Sequence, residues 1–545
     1  MSLFRSGFLF ALGTMISRLS GLLRESVIAG VFGASVSMDA FLVANRIPNM
    51  LRELFAEGAL GSSFTKVFSE LWEQDPERAR RLLWDTLLFS VCASILICLA
   101  GISGASWLVD MMTLIDSDKS VQEQRLFISQ ARGLTALLFP FIGFMMTASV
   151  AGGALHQKGR FLLSSLSPIA LNCGYLLGAL VFARLLEDFG PNWIKLYFAD
   201  QAITGLALGV LFGGGLQLAL QLGGLWKPLI APWSFPGFSS FCGWSHDVRK
   251  VLRLMGPMVI AAGAGQINVL INTNFATSLG TGAVTWLGFA FRLLQLPIGI
   301  FAVAVSAAAL PSFSRLLSRK NMENLKILSD QLVLSSGTVL WLMSACFCVI
   351  AVSGQDIIRL LFEQGAFLAS DTKATSSALY YYSFGLMGYG LIKVLSAYYY
   401  ASDRTSWAMK VSLLSIGSNF ILNYLLVDTY GADGLAMTAS AVLTFNAIAL
   451  CWGLRKDQLP LNHKMIAKGI LALLCSLTLS LIASTGVRHL FFPLIDSLPC
   501  HFKMISLIRL GISGILVALI FSLTGWSFLG YRPDRLLQKL RQGHS

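Results

Sequence analysis

Long apolar segments recur along the whole chain, and they constrain its fold more than any other feature. Of its 545 residues, 55% are hydrophobic and 13% are charged, with a mean hydropathy of +0.68. A soluble domain carries about twice that charged fraction. About fourteen segments are long and apolar enough to cross a bilayer as helices, near residues 6–33, 38–69, 82–109, 127–155, 162–186, 193–221, 248–279, 283–317, 325–352, 375–400, 407–427, 433–453, 465–487 and 504–529. The sequence therefore predicts an all-α polytopic membrane protein with about fourteen transmembrane helices.

Basic residues are divided unevenly between alternate loops. If the N-terminus lies in the cytoplasm, the loops on that side hold most of the lysines and arginines, as in Arg315, Arg319 and Lys320. The opposite loops hold few, and they include the acidic run Asp116–Asp118. This asymmetry predicts that both termini are cytoplasmic. The net charge of +13 then follows from topology, and no nucleic-acid partner is expected.

A short internal match at an offset of 249 residues predicts two related lobes. The segment from Ser63 to Phe68 aligns with that from Ser312 to Leu317, and Pro48 aligns with Pro297. Parallel repeats of this kind place a substrate site between two halves of equal topology. We predict an N-terminal lobe of six helices over residues 1–222, a cytoplasmic linker over 223–247 and a C-terminal lobe of six helices over 248–456. Residues 457–545 would add two extra helices and a cytoplasmic tail. Pro48 also predicts a kink near Asn45–Pro48.

Four arginines lie inside apolar segments, where a charge costs several kcal/mol: Arg18, Arg24, Arg52 and Arg292. A guanidinium keeps its proton, so it must pair, reach water or bind an anion. Its planar fork suits pyrophosphate oxygens. For Arg18 and Arg292 the alternative is an internal ion pair with Asp39 or Glu25. For Arg46, Arg52, Glu53 and Glu57 it is a partly solvated helix end with intrahelical pairs.

The sequence offers no candidate catalytic residues. A nucleotide-binding glycine motif and clustered histidines or acids are both lacking, and the nine cysteines show no metal-ligand spacing. The chain is therefore expected not to be an enzyme and to hold no metal or organic cofactor.

At these arginines the chain resembles the lipid II flippase (MurJ, formerly MviN) family of the MOP transporter superfamily. The resemblance begins at Ser17-Arg18-Leu19-Ser20-Gly21-Leu22-Leu23-Arg24-Glu25. It continues through Asp39-Ala40-Phe41, Arg46-Ile47-Pro48-Asn49-Met50-Leu51-Arg52 and, more loosely, Gln266-Ile267-Asn268.

That resemblance implies two six-helix lobes around a central cavity, with two extra helices forming a groove for a lipid tail. It implies transport of undecaprenyl-pyrophosphate-linked disaccharide-pentapeptide (lipid II) from the inner to the outer leaflet of the bacterial cytoplasmic membrane by alternating access. The residues then expected to bind substrate are Arg18, Arg24, Asp39, Asn49, Arg52 and Arg292.

Two positions of the second lobe need separate comment. Where the family commonly has an acid beside the arginine of span 8, this chain has Phe291, so Arg292 lacks that adjacent counter-charge. Some relatives bind sodium in this lobe, and Asn419, Asn423 and Thr438 form a candidate monovalent-cation site. The alternative is that the two asparagines bond to neighbouring helices. Coupling to the membrane potential is also open.

The expected partners are lipid II, membrane lipids and, as a further candidate, enzymes of cell-wall synthesis. Two other functions stay open at this point: export of another polyprenyl-linked saccharide, and a non-transporting scaffold for cell-wall synthesis enzymes.

Overall fold

The computed structural model describes residues 3–114, 120–191, 200–225, 245–318, 321–457, 459–460, 462–496 and 501–529. Within these ranges the chain is helical, and the only β-type pairing is an isolated bridge between Gln364 and Phe367. The all-α prediction is confirmed. Most of the predicted linker, the acidic run at 116–118 and the tail from residue 530 lie outside the described residues.

The helices of the first half are α1 (Leu3–Phe32), α2 (Val36–Leu51), α3 (Gly61–Gln74), α4 (Pro76–Ser103), α5 (Ala105–Met112), α6 (Val121–Leu138), α7 (Pro140–Gln157), α8 (Phe161–Leu177), α9 (Ala183–Phe189) and α10 (Gln201–Leu225). The second half contains α11 (His246–Thr277), α12 (Ala283–Pro297), α13 (Val303–Ser318), α14 (Met322–Phe362), α15 (Ala369–Ser383), α16 (Gly385–Ala401), α17 (Thr405–Gly453), α18 (His463–Asp496) and α19 (Phe502–Leu529).

Nine helical stretches of the described chain are long and apolar enough to cross a membrane. One of them, Thr405–Asp457, has 53 residues, about 80 Å of helix at 1.5 Å per residue. That length exceeds twice the ~30 Å core of a bilayer. The backbone is non-helical at Gly431, with φ 56° and ψ −132°, which separates the two predicted spans 407–427 and 433–453. The total of about fourteen spans stays a prediction.

A π-helical segment follows Pro48, and the kink predicted near Asn45–Pro48 stays a prediction. Helix α2 continues through Pro48 to Leu51, and residues Arg52–Leu60 then follow a π-helical course into α3. Pro297, the partner of Pro48 in the internal match, is likewise followed by a π-helical segment, Ile298–Ala302. Segments of this kind occur often at functional sites.

Two compact units make up the described chain. Unit 1 contains Met1–Thr285 together with Gln364–Leu368, and unit 2 contains Trp286–Glu363 and Ala369–Ser545. Helix α11, which the sequence assigns to the C-terminal lobe, packs within unit 1 against α3, α4, α5 and the π-helical segment Arg52–Leu60. The predicted lobe boundaries, at residues 222 and 248, stay a prediction about the internal repeat. Unit 1 extends beyond them, to Thr285.

Helices α8 and α10 meet through a stripe of glycines, which we call the glycine stripe. Gly174 of α8 and Gly178, the residue directly after α8, face Gly205, Gly209 and Gly213 of α10, and a Cβ on Gly174 would overlap the Cα of Gly213. Spacings of four residues between small side chains let membrane helices approach closely and gain dispersion contacts. The stripe therefore fixes α8 within unit 1.

The start of α11 is attached to α3 and α4 by two ion pairs. Asp247 accepts hydrogen bonds from Arg78 Nε at 2.7 Å and Arg78 Nη2 at 2.8 Å. Lys250 Nζ lies 2.7 Å from Glu70 Oε2. The hydrogen bonds and charge of Arg78 hold the pKa of the Asp247 carboxyl below its usual value, and Lys250 does the same for the pKa of Glu70.

A five-residue segment, Gln364–Leu368, completes unit 1 from a distant part of the sequence, and we call it the clasp segment. Gln364 Nε2 donates to the carbonyl oxygen of Ser26 at 2.8 Å, and the Ala366 amide donates to that of Gly30 at 2.8 Å. Gly365 has φ +56°, and a Cβ there would overlap the carbonyl oxygen of Gly30. The contact with α1 therefore requires glycine at this position.

Gly365→Ala should loosen the clasp segment. A left-handed alanine costs roughly 1–2 kcal/mol, and the added Cβ must displace the Gly30 carbonyl. We expect the Ala366 amide to exchange its hydrogen about tenfold faster in the variant, measured by hydrogen exchange with mass spectrometry. Gly280→Ala is the matched control, because nothing lies within 4 Å of a Cβ at that position. Equal exchange in wild type and Gly365→Ala would contradict this assignment.

Acidification should weaken the attachment of α11. Because the pKa of Asp247 is lowered in the folded state, its stabilising contribution is present above its unfolded pKa of roughly 3.9. The contribution is lost as the pH falls through the lowered folded value. The protection of the first-turn amides of α11, taken as the exchange rate relative to the intrinsic rate at the same pH, should therefore fall below about pH 4 in wild type. Asp247→Asn should show low protection already at pH 7 and little further loss on acidification. A pH response that persists in this variant would exclude the Arg78 pair as its source.

Candidate functional site

Arg24 lies in a polar cluster between α1 and α8. Its side chain is only 16% exposed, and its guanidinium forms an ion pair with Glu25, which accepts from Nε at 3.0 Å and also from Nη2. Nη1 donates to Asn172 Oδ1 at 3.0 Å, and the guanidinium carbon lies 4.4 Å from the centre of the Tyr175 ring. Glu25 thus pairs with Arg24, whereas the sequence offered it as a partner for Arg18 or Arg292.

Arg18 precedes Arg24 on α1, and its side chain is exposed. Within the described part of the chain, no hydrogen bond or ion pair to its guanidinium is seen. The predicted proximity of Arg18 and Arg24 in one cavity stays a prediction. The exposure of Arg18 leaves its donors accessible.

A second polar cluster surrounds Arg52 at the start of the π-helical segment. Arg52 Nε donates to Asn49 Oδ1 at 3.0 Å, and Asn49 Nδ2 donates to Glu53 Oε1 at 2.9 Å. Glu53 Oε2 accepts from Gln266 of α11 at 2.8 Å. The intrahelical pairing offered as an alternative for Arg52 is therefore present, and Asn49 acts as the bridge. The side chain of Glu57 lies outside the described residues.

Asp39 occupies the amino-terminal end of α12. Its carboxylate is 4% exposed and accepts from the Gly282 amide at 2.7 Å, the Thr285 amide at 2.9 Å and Thr285 Oγ1 at 2.6 Å. A helix amino terminus carries unpaired N–H groups and a partial positive charge, so a carboxylate there is stabilising. Asp39 caps a helix in this structure, and its expected role as a cavity acid stays a prediction.

In unit 2, Arg292 lies on α12 and is half-buried. The adjacent Phe291 packs edge-to-face on Tyr382 of α15, with ring centroids 5.7 Å apart. An aromatic contact thus stands where the family resemblance places an acid. The sequence could show the absent acid but not this packing.

The candidate cation residues lie on α17. Asn419 and Asn423 are buried, and Asn423 Nδ2 donates to Asn419 Oδ1 at 3.1 Å. Thr438 is fully buried, and its hydroxyl has no hydrogen-bond partner among the described residues. No group of three histidine, cysteine or acidic side chains suited to a metal occurs in the described ranges.

Unit 1 thus contains four arginine-site residues of the prediction (Arg18, Arg24, Asn49 and Arg52) together with Asp39, and unit 2 contains Arg292. The sequence reading missed Asn172 and Tyr175, which contact Arg24 directly. A polar asparagine inside the apolar segment Leu162–Phe189 was the available signal, because intramembrane polar side chains are commonly functional.

Comparison with known proteins identifies the family. The family model described as "Lipid II flippase MurJ" matches residues 28–499, which include Asp39, Arg52 and Arg292. The chain is 31% identical over 466 residues to the lipid II flippase MurJ of Burkholderia cenocepacia, covering 84% of each protein. It is also 31% identical over 467 residues to the probable lipid II flippase MurJ of Vibrio cholerae, covering 83% of each.

Solved structures show the same fold. A lipid II flippase MurJ in an inward closed conformation matches with a TM-score of 0.73 and 24% identity, over 96% of this chain and 99% of that one. An inward-facing multidrug resistance MATE family transporter of the MOP superfamily matches with a TM-score of 0.63 and 16% identity, over 82% and 97%. From the extent of the family-model and sequence matches, the chain belongs to the lipid II flippase MurJ family of multi-pass, non-enzymatic transporters.

Proposed function

We propose that this chain moves lipid II from the inner to the outer leaflet of the bacterial cytoplasmic membrane, with its intramembrane arginines binding the pyrophosphate. Family membership supports the substrate, since the relatives are named lipid II flippases. The permanent positive charge and the N–H donors of the arginines support binding through the pyrophosphate.

The observation that carries the proposal is the burial of Arg24 together with its incomplete hydrogen bonding. Its guanidinium is largely withdrawn from water, yet only three of its five N–H bonds have acceptors among the described residues. The unused N–H bonds are available to an oxyanion. A charge-assisted bond to a phosphate oxygen is roughly twice as strong as a neutral one, and its strength increases further where water is excluded.

Arg18 and Arg52 would supply further positive charge to the same head group. Arg18 is exposed, whereas Arg52 is held by Asn49. A pyrophosphate diester carries two negative charges, so several cations are needed to offset its removal from water. Arg292 of unit 2 would bind the head group at another stage of an alternating-access cycle.

The prenyl tail would remain in the lipid beside α18 and α19. These helices display exposed apolar side chains such as Ile482, Leu490 and Leu523. A hydrocarbon chain loses nothing by staying in hydrocarbon, so the protein needs to shield only the head group. With the topology given by the basic loops, both termini would lie in the cytoplasm.

For coupling, we favour the membrane potential over a bound cation. Asn419, Asn423 and Thr438 offer only neutral oxygens, and Asn419 Oδ1 already accepts from Asn423. A cation there would lack a neutralising carboxylate. Movement of one charge through the potential is worth about 2.3 kcal/mol per 100 mV, enough to bias the return of the empty transporter.

Substitution of the arginines tests the proposal. Arg18→Ala, Arg24→Ala, Arg52→Ala and Arg292→Ala should each lower translocation of labelled lipid II in proteoliposomes by about tenfold or more, because each removes a charge-assisted contact. Arg184→Ala is the matched control, since Arg184 is an exposed arginine within the span Leu162–Phe189. Thermal unfolding in detergent checks that each variant is folded.

The same experiment separates the alternatives. If wild type translocates another polyprenyl-linked saccharide in preference to lipid II, the substrate assignment fails while the anion chemistry stands. If all four variants translocate lipid II normally, the arginines do not bind the head group. A wild-type protein that moves neither lipid, but binds enzymes of cell-wall synthesis, would be a scaffold.

A further inference from the structure

Asn172 of α8 connects Arg24 to the backbone of α1. Its Oδ1 accepts from Arg24 Nη1 at 3.0 Å, while its Nδ2 donates to Ser20 Oγ at 2.7 Å and to the Ser17 carbonyl at 3.3 Å. Asn172 is 6% exposed. All four residues lie in unit 1.

These contacts allow only one orientation of the Asn172 amide. A guanidinium has no acceptor, so Oδ1 must face Arg24. The opposite side of the amide meets a carbonyl, which can only accept, and the Ser20 hydroxyl, whose own proton is donated to the Ser17 carbonyl at 2.8 Å. A flipped amide would turn its NH₂ group toward the Arg24 donor and its oxygen toward the Ser17 carbonyl, and would lose both of those bonds. The acceptor offered to Arg24 is therefore fixed in direction.

Tyr175 lies one turn further along the same face of α8 and supports the flat side of the guanidinium. The ring centroid is 4.4 Å from Arg24 Cζ, within the range of a cation–π contact. The ring is itself buried, and its hydroxyl accepts from Asn45 Nδ2 of α2 at 3.4 Å. Helix α8 therefore contacts the edge of the guanidinium through Asn172 and its face through Tyr175.

Helix α8 is a firm support for this purpose. Two residues beyond Asn172, the glycine stripe begins at Gly174, where α8 and α10 touch through their backbones. A helix held at backbone distance has little freedom to shift or rotate. Arg24, at the end of a long side chain, is therefore held at a constant position relative to α10.

We propose that Asn172 and Tyr175 are positioning residues of the lipid II head-group site, holding the Arg24 guanidinium so that its remaining N–H bonds are directed at the pyrophosphate. The inference rests on the proposed function. Glu25 and Asn172 occupy three N–H bonds, and Tyr175 fixes the plane in which the other two lie. A preorganised donor binds an anion more tightly than a mobile one, because less side-chain freedom is lost on binding.

Three substitutions at Asn172 and Tyr175 test the proposal by binding. Asn172→Asp keeps the shape of the side chain but gives Arg24 a second carboxylate, which competes with phosphate. Binding of undecaprenyl pyrophosphate to the purified full-length chain in nanodiscs should weaken about tenfold. Tyr175→Phe keeps the ring and should bind as wild type does, whereas Tyr175→Leu should bind about tenfold more weakly.

The controls separate positioning from packing. Undecaprenol has the same tail without phosphate, so its binding should be unchanged in every variant. Cys173→Leu alters the exposed residue between Asn172 and Tyr175 and should leave both ligands unaffected. Asn172→Leu, which removes the acceptor without adding charge, should weaken pyrophosphate binding less than Asn172→Asp does.

Equal losses for undecaprenol and undecaprenyl pyrophosphate would overturn the proposal in favour of a packing role. Normal pyrophosphate binding by Asn172→Asp and Tyr175→Leu would also overturn it, while the function stands if Arg24→Ala still lowers translocation. If Arg24→Ala translocates lipid II normally, the proposed role of Arg24 fails, and the positioning role fails with it.

Discussion

A guanidinium that cannot lose its proton must be compensated wherever water is excluded, and the packing of α1 on α8 follows from that requirement. Arg24 is enclosed by a carboxylate, an amide oxygen and an aromatic ring, each from a different direction. An isolated charge in this setting would cost several kcal/mol. The compensation is nevertheless incomplete, because two of the five N–H bonds have no acceptor among the described residues. Under the proposed function, these two N–H bonds would bind the pyrophosphate.

Carboxylates in unit 1 show how neighbouring charges of one kind take different roles. Glu25 neutralises a cation, Asp39 caps a helix through backbone amides, and Asp247 attaches one helix end to another. Their different partners determine these roles, since all three are the same chemical group. The π-helical segment after Pro48 likewise places Arg52 beside Asn49 and links it, through Glu53, to α11.

The apolar segments and the intramembrane arginines could be predicted from sequence because both are local properties. Predicted span 6–33 corresponds to α1, and predicted span 283–317 corresponds to the helical stretch Ala283–Ser318. The partners of those arginines could not be predicted, because Asn172 lies 148 residues from Arg24 and no periodicity links them. Asp39 is similar: its partner Thr285 is 246 residues away, so the sequence revealed a buried acid but not the helix that it caps. The four-residue spacing of the glycines in the glycine stripe could be seen in the sequence. Which helices pack together through those glycines depends on tertiary packing and could not.

The clasp segment has a consequence for the order in which the protein is made. Unit 1 is continuous up to Thr285, but its last five residues, Gln364–Leu368, are synthesised roughly 80 residues later. At ~5–20 residues per second, several seconds separate the two events on the ribosome. During that interval α1 presents the Ser26 and Gly30 carbonyls without their later partners. The first unit is thus completed only after α14 has been synthesised. The final packing of unit 1 therefore depends on a large part of the second half of the chain.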